Sequence, residues 1–297
     1  MDKRGDNVVL AVLLSLLALT LFDIMGLIIK HLSPRYSAAE LSAYRNLFGL
    51  IPSGIALWWS KAWHAQGRPV QIRQWKLPII RGLAVTIAQL LFYYSLGQLA
   101  FATAATLSYS NAIFMTALAV PLLGERVGWY RWSAVMIGFC GVIWIMRPGS
   151  DTFSLAALAP VGAGFCYAFS GVLARLVDDD VPTPHLNLIS AFYAMLGGLG
   201  IAMATGGFSP LASFTDLLWL LAMGGFGGCA VLTLVVSFRM TEQSNLAPFS
   251  YFGIPIAFVL GWLFFDEAPW GDLFPGAILI VLGGLFVIWR ERRRKAG

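Results

Sequence analysis

Charge is scarce in this 297-residue chain: Asp, Glu, Lys and Arg make up 12% of it, against about a quarter in a typical soluble domain. With 58% apolar residues and a mean hydropathy of +0.75, it cannot clothe a soluble fold in polar surface. Cysteine is also rare. Cys140, Cys166 and Cys229 each lie inside an apolar run, with no CxxC pair and no nearby His. They read as small buried side chains, which argues against a disulfide framework or a thiolate metal site. His31, His64 and His185 are far apart, and no HExxH, GxSxG or Walker A pattern occurs. No enzyme, cofactor or metal is therefore expected, and any energy coupling must use gradients. The net charge of +5 and pI near 9.2 come from Lys and Arg in short gaps and in the tail Arg290–Lys295. That placement fits membrane-flanking loops and not nucleic acid.

Long apolar runs are abundant. A hydrocarbon core of about 30 Å takes roughly 20 helical residues per crossing. Ten segments qualify, at approximately 8–29, 38–59, 77–97, 103–123, 131–147, 154–176, 185–205, 214–235, 246–265 and 272–289. The expected fold is thus an all-α membrane protein with ten transmembrane helices and a lipid bilayer as its main partner. The first run continues past Asp23 without a small-residue cleavage site, so it reads as a retained span and not a signal peptide. With the N-terminus inside, sixteen Lys and Arg fall in cytoplasmic segments against three, Lys30, Arg35 and Arg147, outside. This bias predicts an inner-membrane protein with both termini cytoplasmic. The eleven Trp lie near span ends or in connections, as an aromatic belt requires, and none is assigned to a ligand site.

A shift of 142 residues superposes the fourth and fifth spans on the ninth and tenth. Ser108-Tyr109 falls on Ser250-Tyr251, Glu125 on Glu267 and Gly141 on Gly283. Ser95, Ala105 and Leu118 match Ser237, Ala247 and Leu260. The repeat holds five spans, an odd number, so its second copy enters the membrane inverted. Two such repeats, 1–149 and 150–297, would enclose a central cavity and open it to each side in turn.

The same residues carry a family resemblance. Tyr94-Ser95-Leu96-Gly97 through Leu123-Gly124-Glu125-Arg126, then Gly138-Phe139-Cys140-Gly141-Val142, resembles the EamA-type unit that defines the drug/metabolite transporter superfamily. The second half offers Phe265-Asp266-Glu267 and Gly283-Gly284, and Ala43-Tyr44-Arg45 resembles the arginine near the start of that family's second helix. The first unit lacks the usual proline near Asn111, whereas the second has Pro255. The resemblance implies a ten-helix bundle around a cavity, and is greatest to the branch exporting aromatic and other amino acids. It makes the expected function export of small metabolites, amino acids in particular, by alternating access. Efflux of cationic drugs and a non-transporting membrane scaffold are the alternatives.

Candidate site residues follow from cost. An ionisable group at mid-membrane costs about 2.5–3.5 kcal/mol on insertion scales, so it defaults to a functional hypothesis. Asp23 and Arg45 qualify, each roughly 9–11 Å below the outer surface at 1.5 Å per residue. Either they pair with each other and fix the first hairpin, or Asp23 meets a substrate ammonium or a proton while Arg45 meets a carboxylate. Gln89, Tyr93, Ser108, Tyr109, Asn111, Tyr167, Ser170, Ser250 and Tyr251 are further substrate-binding candidates. The competing reading for each is helix–helix hydrogen bonding. Glu125 and Glu267 at span ends, with Pro255 as a hinge, are gating candidates. Gly224 and Gly228 have GxxxG spacing, read as close packing or, more weakly, as a homodimer face.

Overall fold

The computed structural model describes residues 8–69, 72–124, 129–146, 154–178, 180–240, 249 and 252–282. The described residues are all helix and connection, with no strand among them. Six helical stretches are long and apolar enough to cross a membrane: Val9–Leu32, Lys76–Gln98, Phe101–Leu123, Leu155–Ala174, Thr183–Ala204 and Phe214–Leu234. Exposed Leu13, Ile51, Ile87, Phe214, Leu263 and Phe264 give the bundle an apolar exterior suited to lipid.

Helix α1 (Val8–Leu32) turns through Ser33–Ser37 into α2 (Ala38–Trp58). A capping box starts α2: the Ser37 hydroxyl accepts from the Glu40 backbone N–H, and the Glu40 carboxylate accepts from the Ser37 N–H. A short helix α3 (Lys61–Ala65) follows, then α4 (Lys76–Gln98), α5 (Phe101–Ser108) and α6 (Asn111–Leu123). The span expected at 103–123 is therefore two helices. Tyr109 and Ser110 donate to carbonyls three residues back, which tightens the chain into a turn. The Ser108 hydroxyl bonds back to the Ala105 carbonyl, the local competition that makes serine a weak helix former. Helix α6 ends at Gly124, whose φ of 66° is the left-handed stop that glycine adopts without a Cβ clash.

Beyond it lie α7 (Trp129–Met146), α8 (Leu158–Ala174, led by a 3₁₀ turn at Leu155–Ala157), α9 (Thr183–Ala204) and α10 (Phe214–Met240). Next come α11 (Gly253–Phe265), the one-turn α12 (Trp270–Leu273) and α13 (276–282). Pro255 falls in the first turn of α11, where its missing N–H has no helical partner to lose. It marks the start of this helix and does not kink its interior.

Neighbouring helices form a closed ring. Helix α1 packs on α10, α10 on α2, α2 on α9, α9 on α4 and α4 on α8; α8 meets α5 and α6, α5 meets α11, and α11 returns to α1. The α2–α10 seam depends on glycine. A side chain added at Gly224 would run into Phe48, and one at Gly228 into Pro52. The GxxxG face is thus used inside the chain, against α2, which removes the reason for a homodimer face there. One apolar core joins α1, α4, α5 and α10 through Ile29, Leu32, Tyr93, Leu96, Phe101 and Met223. A second joins α5, α7, α11 and α13 through Leu107, Val142, Ile254 and Ile280.

Candidate functional site

Polar side chains collect in three places: inside the ring, at the end where α1 turns into α2, and in a groove at the opposite end.

Inside the ring, Arg45 on α2 reaches toward α10, packed over Gly227 beside Met25. Its Nη1 donates to Asn46 Oδ1 at 3.0 Å, while its Nε is buried without a partner. Tyr93 is 2% exposed, and its buried hydroxyl has no partner. Ser170 is buried one helical turn beyond Tyr167. Asp23 does not meet Arg45. The ion pairs among the described residues are Lys30–Glu267 and Arg35–Asp216, and one buried Asp23 oxygen has no partner. The hairpin-fixing ion pair is therefore corrected. Helices α1 and α2 follow one another in sequence, but α10 packs between them, and Arg45 lies against α10 instead.

Gln89 is hydrogen-bonded between helices. Its Oε1 accepts from the Ser42 hydroxyl at 2.7 Å and from Asn46 Nδ2 at 2.6 Å, joining α2 to α4. Ser42 and Asn46 were not singled out from sequence; two polar residues four apart on α2 were the available signal. Tyr109, at the α5–α6 turn, stands with its hydroxyl over Gly253 at the start of α11. Gly164 of α8 approaches this turn so closely that a side chain there would meet the Ser110 hydroxyl at 2.7 Å and the Asn111 amide at 3.1 Å. The Ser110 and Thr106 hydroxyls are buried without partners. Glu125, Ser250 and Tyr251 lie outside the described residues.

At the α1–α2 end, acidic groups tie distant helices together. Lys30 Nζ lies 2.6 and 2.8 Å from the two Glu267 oxygens and donates to the Leu99 carbonyl at 2.8 Å. Glu267 also accepts from the Phe101 backbone N–H at 2.8 Å, at the start of α5. The Lys30 ammonium stands 5.1 Å from the Phe265 ring centre. Asp216, buried in the first turn of α10, accepts from Arg35 at 2.6 Å and from the Tyr36 hydroxyl at 3.0 Å. Burial pushes the Tyr36 hydroxyl above its ordinary range, which keeps it a donor. Glu40 caps its own helix and also accepts from the Ser209 N–H. Lys30 was read from sequence only as an outer-loop charge, yet it neutralises Glu267.

At the opposite end, residues of α2, α4 and α9 line a cavity of about 920 Å³, together with Trp63 of α3, Pro69 and Ile72. Its walls include Leu50, Leu57, Ile72, Leu188 and Phe192, with Trp58, Trp63 and Trp75 at the roof. Three tryptophans expected to serve only as membrane anchors thus line a cavity.

A search of solved structures found one overlaying 95% of this chain and 98% of its own, with a TM-score of 0.63 at 19% identity, which speaks to the fold alone. Among proteins of known role, an S-adenosylmethionine uptake transporter of Rickettsia bellii is 24% identical over 95% of this chain and 93% of its own. A riboflavin transporter of Rhizobium johnstonii is 34% identical over 65% of this chain and 63% of its own. A pseudopaline exporter of Pseudomonas aeruginosa is 24% identical over 91% and 93%. These relatives do not single out the amino-acid exporter branch. The EamA-like transporter family matches twice, over residues 9–147 and 154–289. With two such matches along an apolar, all-helical ring, the chain belongs to the EamA-like transporter family and is a multi-pass membrane transporter.

Proposed function

We propose that the chain is a secondary carrier for a carboxylate-bearing organic metabolite, of the amino-acid class, moved by alternating access between two inverted five-helix halves. The observation that carries the substrate reading is Arg45. It is a guanidinium inside the ring, set against Gly227 of α10, with no carboxylate in ion-pair reach among the described residues. Its Nε is buried without an acceptor, an arrangement that is costly inside a membrane, and a substrate carboxylate would supply one. The unpartnered Tyr93 hydroxyl has a free donor to add. Asp23, with its own unpartnered oxygen on α1, takes the ammonium group or a proton.

Three features support the inverted halves and the ten crossings. Helices α6 and α11 both span 13 residues and start and stop at positions 142 apart. Both end in a left-handed residue, Gly124 and Asp266, again 142 apart. Ser95 and Ser237 each donate to the carbonyl three residues back, at 2.6 and 2.7 Å. Packing obeys the same exchange: α1 on α10 answers α8 on α4, and α10 on α2 answers α4 on α9. Such a carrier has both termini cytoplasmic, and the Lys30–Glu267 end faces outward. The net direction we propose is export; relatives named for uptake and for export make flux in each direction worth measuring.

Counterflow in proteoliposomes tests the reading. Labelled amino acids should exchange across the wild-type protein. Arg45→Ala should weaken uptake by roughly 30-fold, the loss of about 2 kcal/mol from an unpaired buried charge contact. Tyr93→Phe should weaken it about fivefold, near 1 kcal/mol for one hydrogen bond. Exchange of cations only, with carboxylate-bearing solutes ignored, would overturn the proposal in favour of cation efflux. Absence of exchange with every solute class would favour a scaffold.

A further inference from the structure

The groove beneath α3 is poorly suited to a zwitterion. Most of its lining is aliphatic or aromatic, and the Trp63 indole N–H is already given to the Pro69 carbonyl at 2.9 Å. Toward the middle of the bundle, the seam above it is joined by the Thr86 hydroxyl on the Ala194 carbonyl and by the Gln89–Asn46 bonds. Toward the exterior it meets Trp58, Trp75 and Phe192, each 43–58% exposed, where a membrane protein meets lipid.

Two cations stand at its rim. The Arg68 guanidinium lies 5.3 Å from the Trp58 ring centre and Lys76 Nζ 5.7 Å from that of Trp75, and both rings line the groove. Arg68 has a φ of 60°, a conformation uncommon outside glycine, and its N–H bonds to the Trp63 carbonyl at 3.0 Å. The segment thus holds the arginine in place. No Asp or Glu occurs from residue 41 to 124, while Lys61 and Arg73 add to the positive field. The nearest acidic segment belongs to the α8–α9 connection. There Asp178 Oδ1 accepts from Gln74 and the Asp180 carbonyl accepts from Gln66.

We propose that this groove binds one anionic phospholipid, with an acyl chain between α2, α4 and α9 and its phosphate on Arg68 and Lys76. A basic rim over an interhelical apolar groove is the chemistry that selects such a headgroup. The site depends on the chain's place in a membrane and not on which solute it carries.

Native mass spectrometry of the purified full chain, titrated with phosphatidylglycerol or phosphatidylcholine of identical acyl chains, tests this. One phosphatidylglycerol should be retained at about a tenfold lower concentration than phosphatidylcholine, a modest gain for two surface cations. Arg68→Ser with Lys76→Ser should erase that preference. Gly54 lines the groove, and a side chain added there meets no atom within 4 Å. Gly54→Trp should therefore fill the groove and abolish retention of both lipids. Gly54→Leu should weaken retention without lowering the melting temperature, since leucine favours a helix more than glycine does. Equal retention of the two lipids, unaltered phosphatidylglycerol retention in Gly54→Trp, or displacement of the lipid by inorganic phosphate alone would each overturn the assignment.

Discussion

At the end where α1 turns into α2, four acceptors, Glu40, Asp216, Glu267 and the Leu99 carbonyl, hold α1, α2, α4, α5, α10 and α11 together. At the opposite end, α2, α4 and α9 line the aromatic groove, and its polar links include side chains of Gln66 and Gln74 on an exposed loop. The two ends thus differ in what opening would require. Parting the first means breaking half-buried charge pairs, which a solute's binding energy or a proton would have to offset. Parting the second means separating the apolar walls of the groove and the exposed Gln66 and Gln74 bonds. The first end is latched by charge, and the second is the more relaxed of the two.

The comparison can be broken most severely at Lys30. Lys30→Glu places two carboxylates where one ion pair stood, and transport should fall by roughly 100-fold, with Lys30→Glu/Glu267→Lys restoring most of it. Failure of the swap to rescue would mean that Glu267 acts through another partner. Asp216→Asn removes a buried charge but keeps the shape. It should lower stability by about 1.5–3 kcal/mol, read as a fall in melting temperature, because Arg35 and Tyr36 lose a charged acceptor. Gly228→Leu would force a side chain into Pro52 and should destabilise the α2–α10 seam by about 1–3 kcal/mol. The smallest effect should come from the relaxed end. Gln74→Ala removes exposed bonds to Asp178, and its melting temperature and transport rate should match the wild type. A large loss there would mean that both ends are latched.

Much of this difference was legible in the sequence, and the limits are physical. Span length and apolarity pointed to the helices, because a bilayer tolerates no other run of that length. Spacing put Glu267 at a helix end. What spacing could not reveal was which helices are neighbours, since α10 packs between α1 and α2. Asp23 and Arg45 share a depth but not a partner, and Gln89 turned out to be spent on Ser42 and Asn46. The turn at Tyr109–Ser110 has no proline to announce it, only Ser108, whose hydroxyl competes locally with the backbone. The groove escaped notice because its tryptophans also suit an interfacial belt; only the tertiary arrangement brings Trp58, Trp63 and Trp75 over α9.

A disulfide across the latched end tests whether that end must part during transport. Phe101 Cβ lies 3.4 Å from where a Gly261 Cβ would stand, close to disulfide range, and the two residues come from opposite halves beside Glu267. In a chain with Cys140, Cys166 and Cys229 replaced by Ser, oxidation of Phe101→Cys/Gly261→Cys should stop solute exchange, and reduction should restore it. Undiminished exchange by fully cross-linked protein would contradict the account.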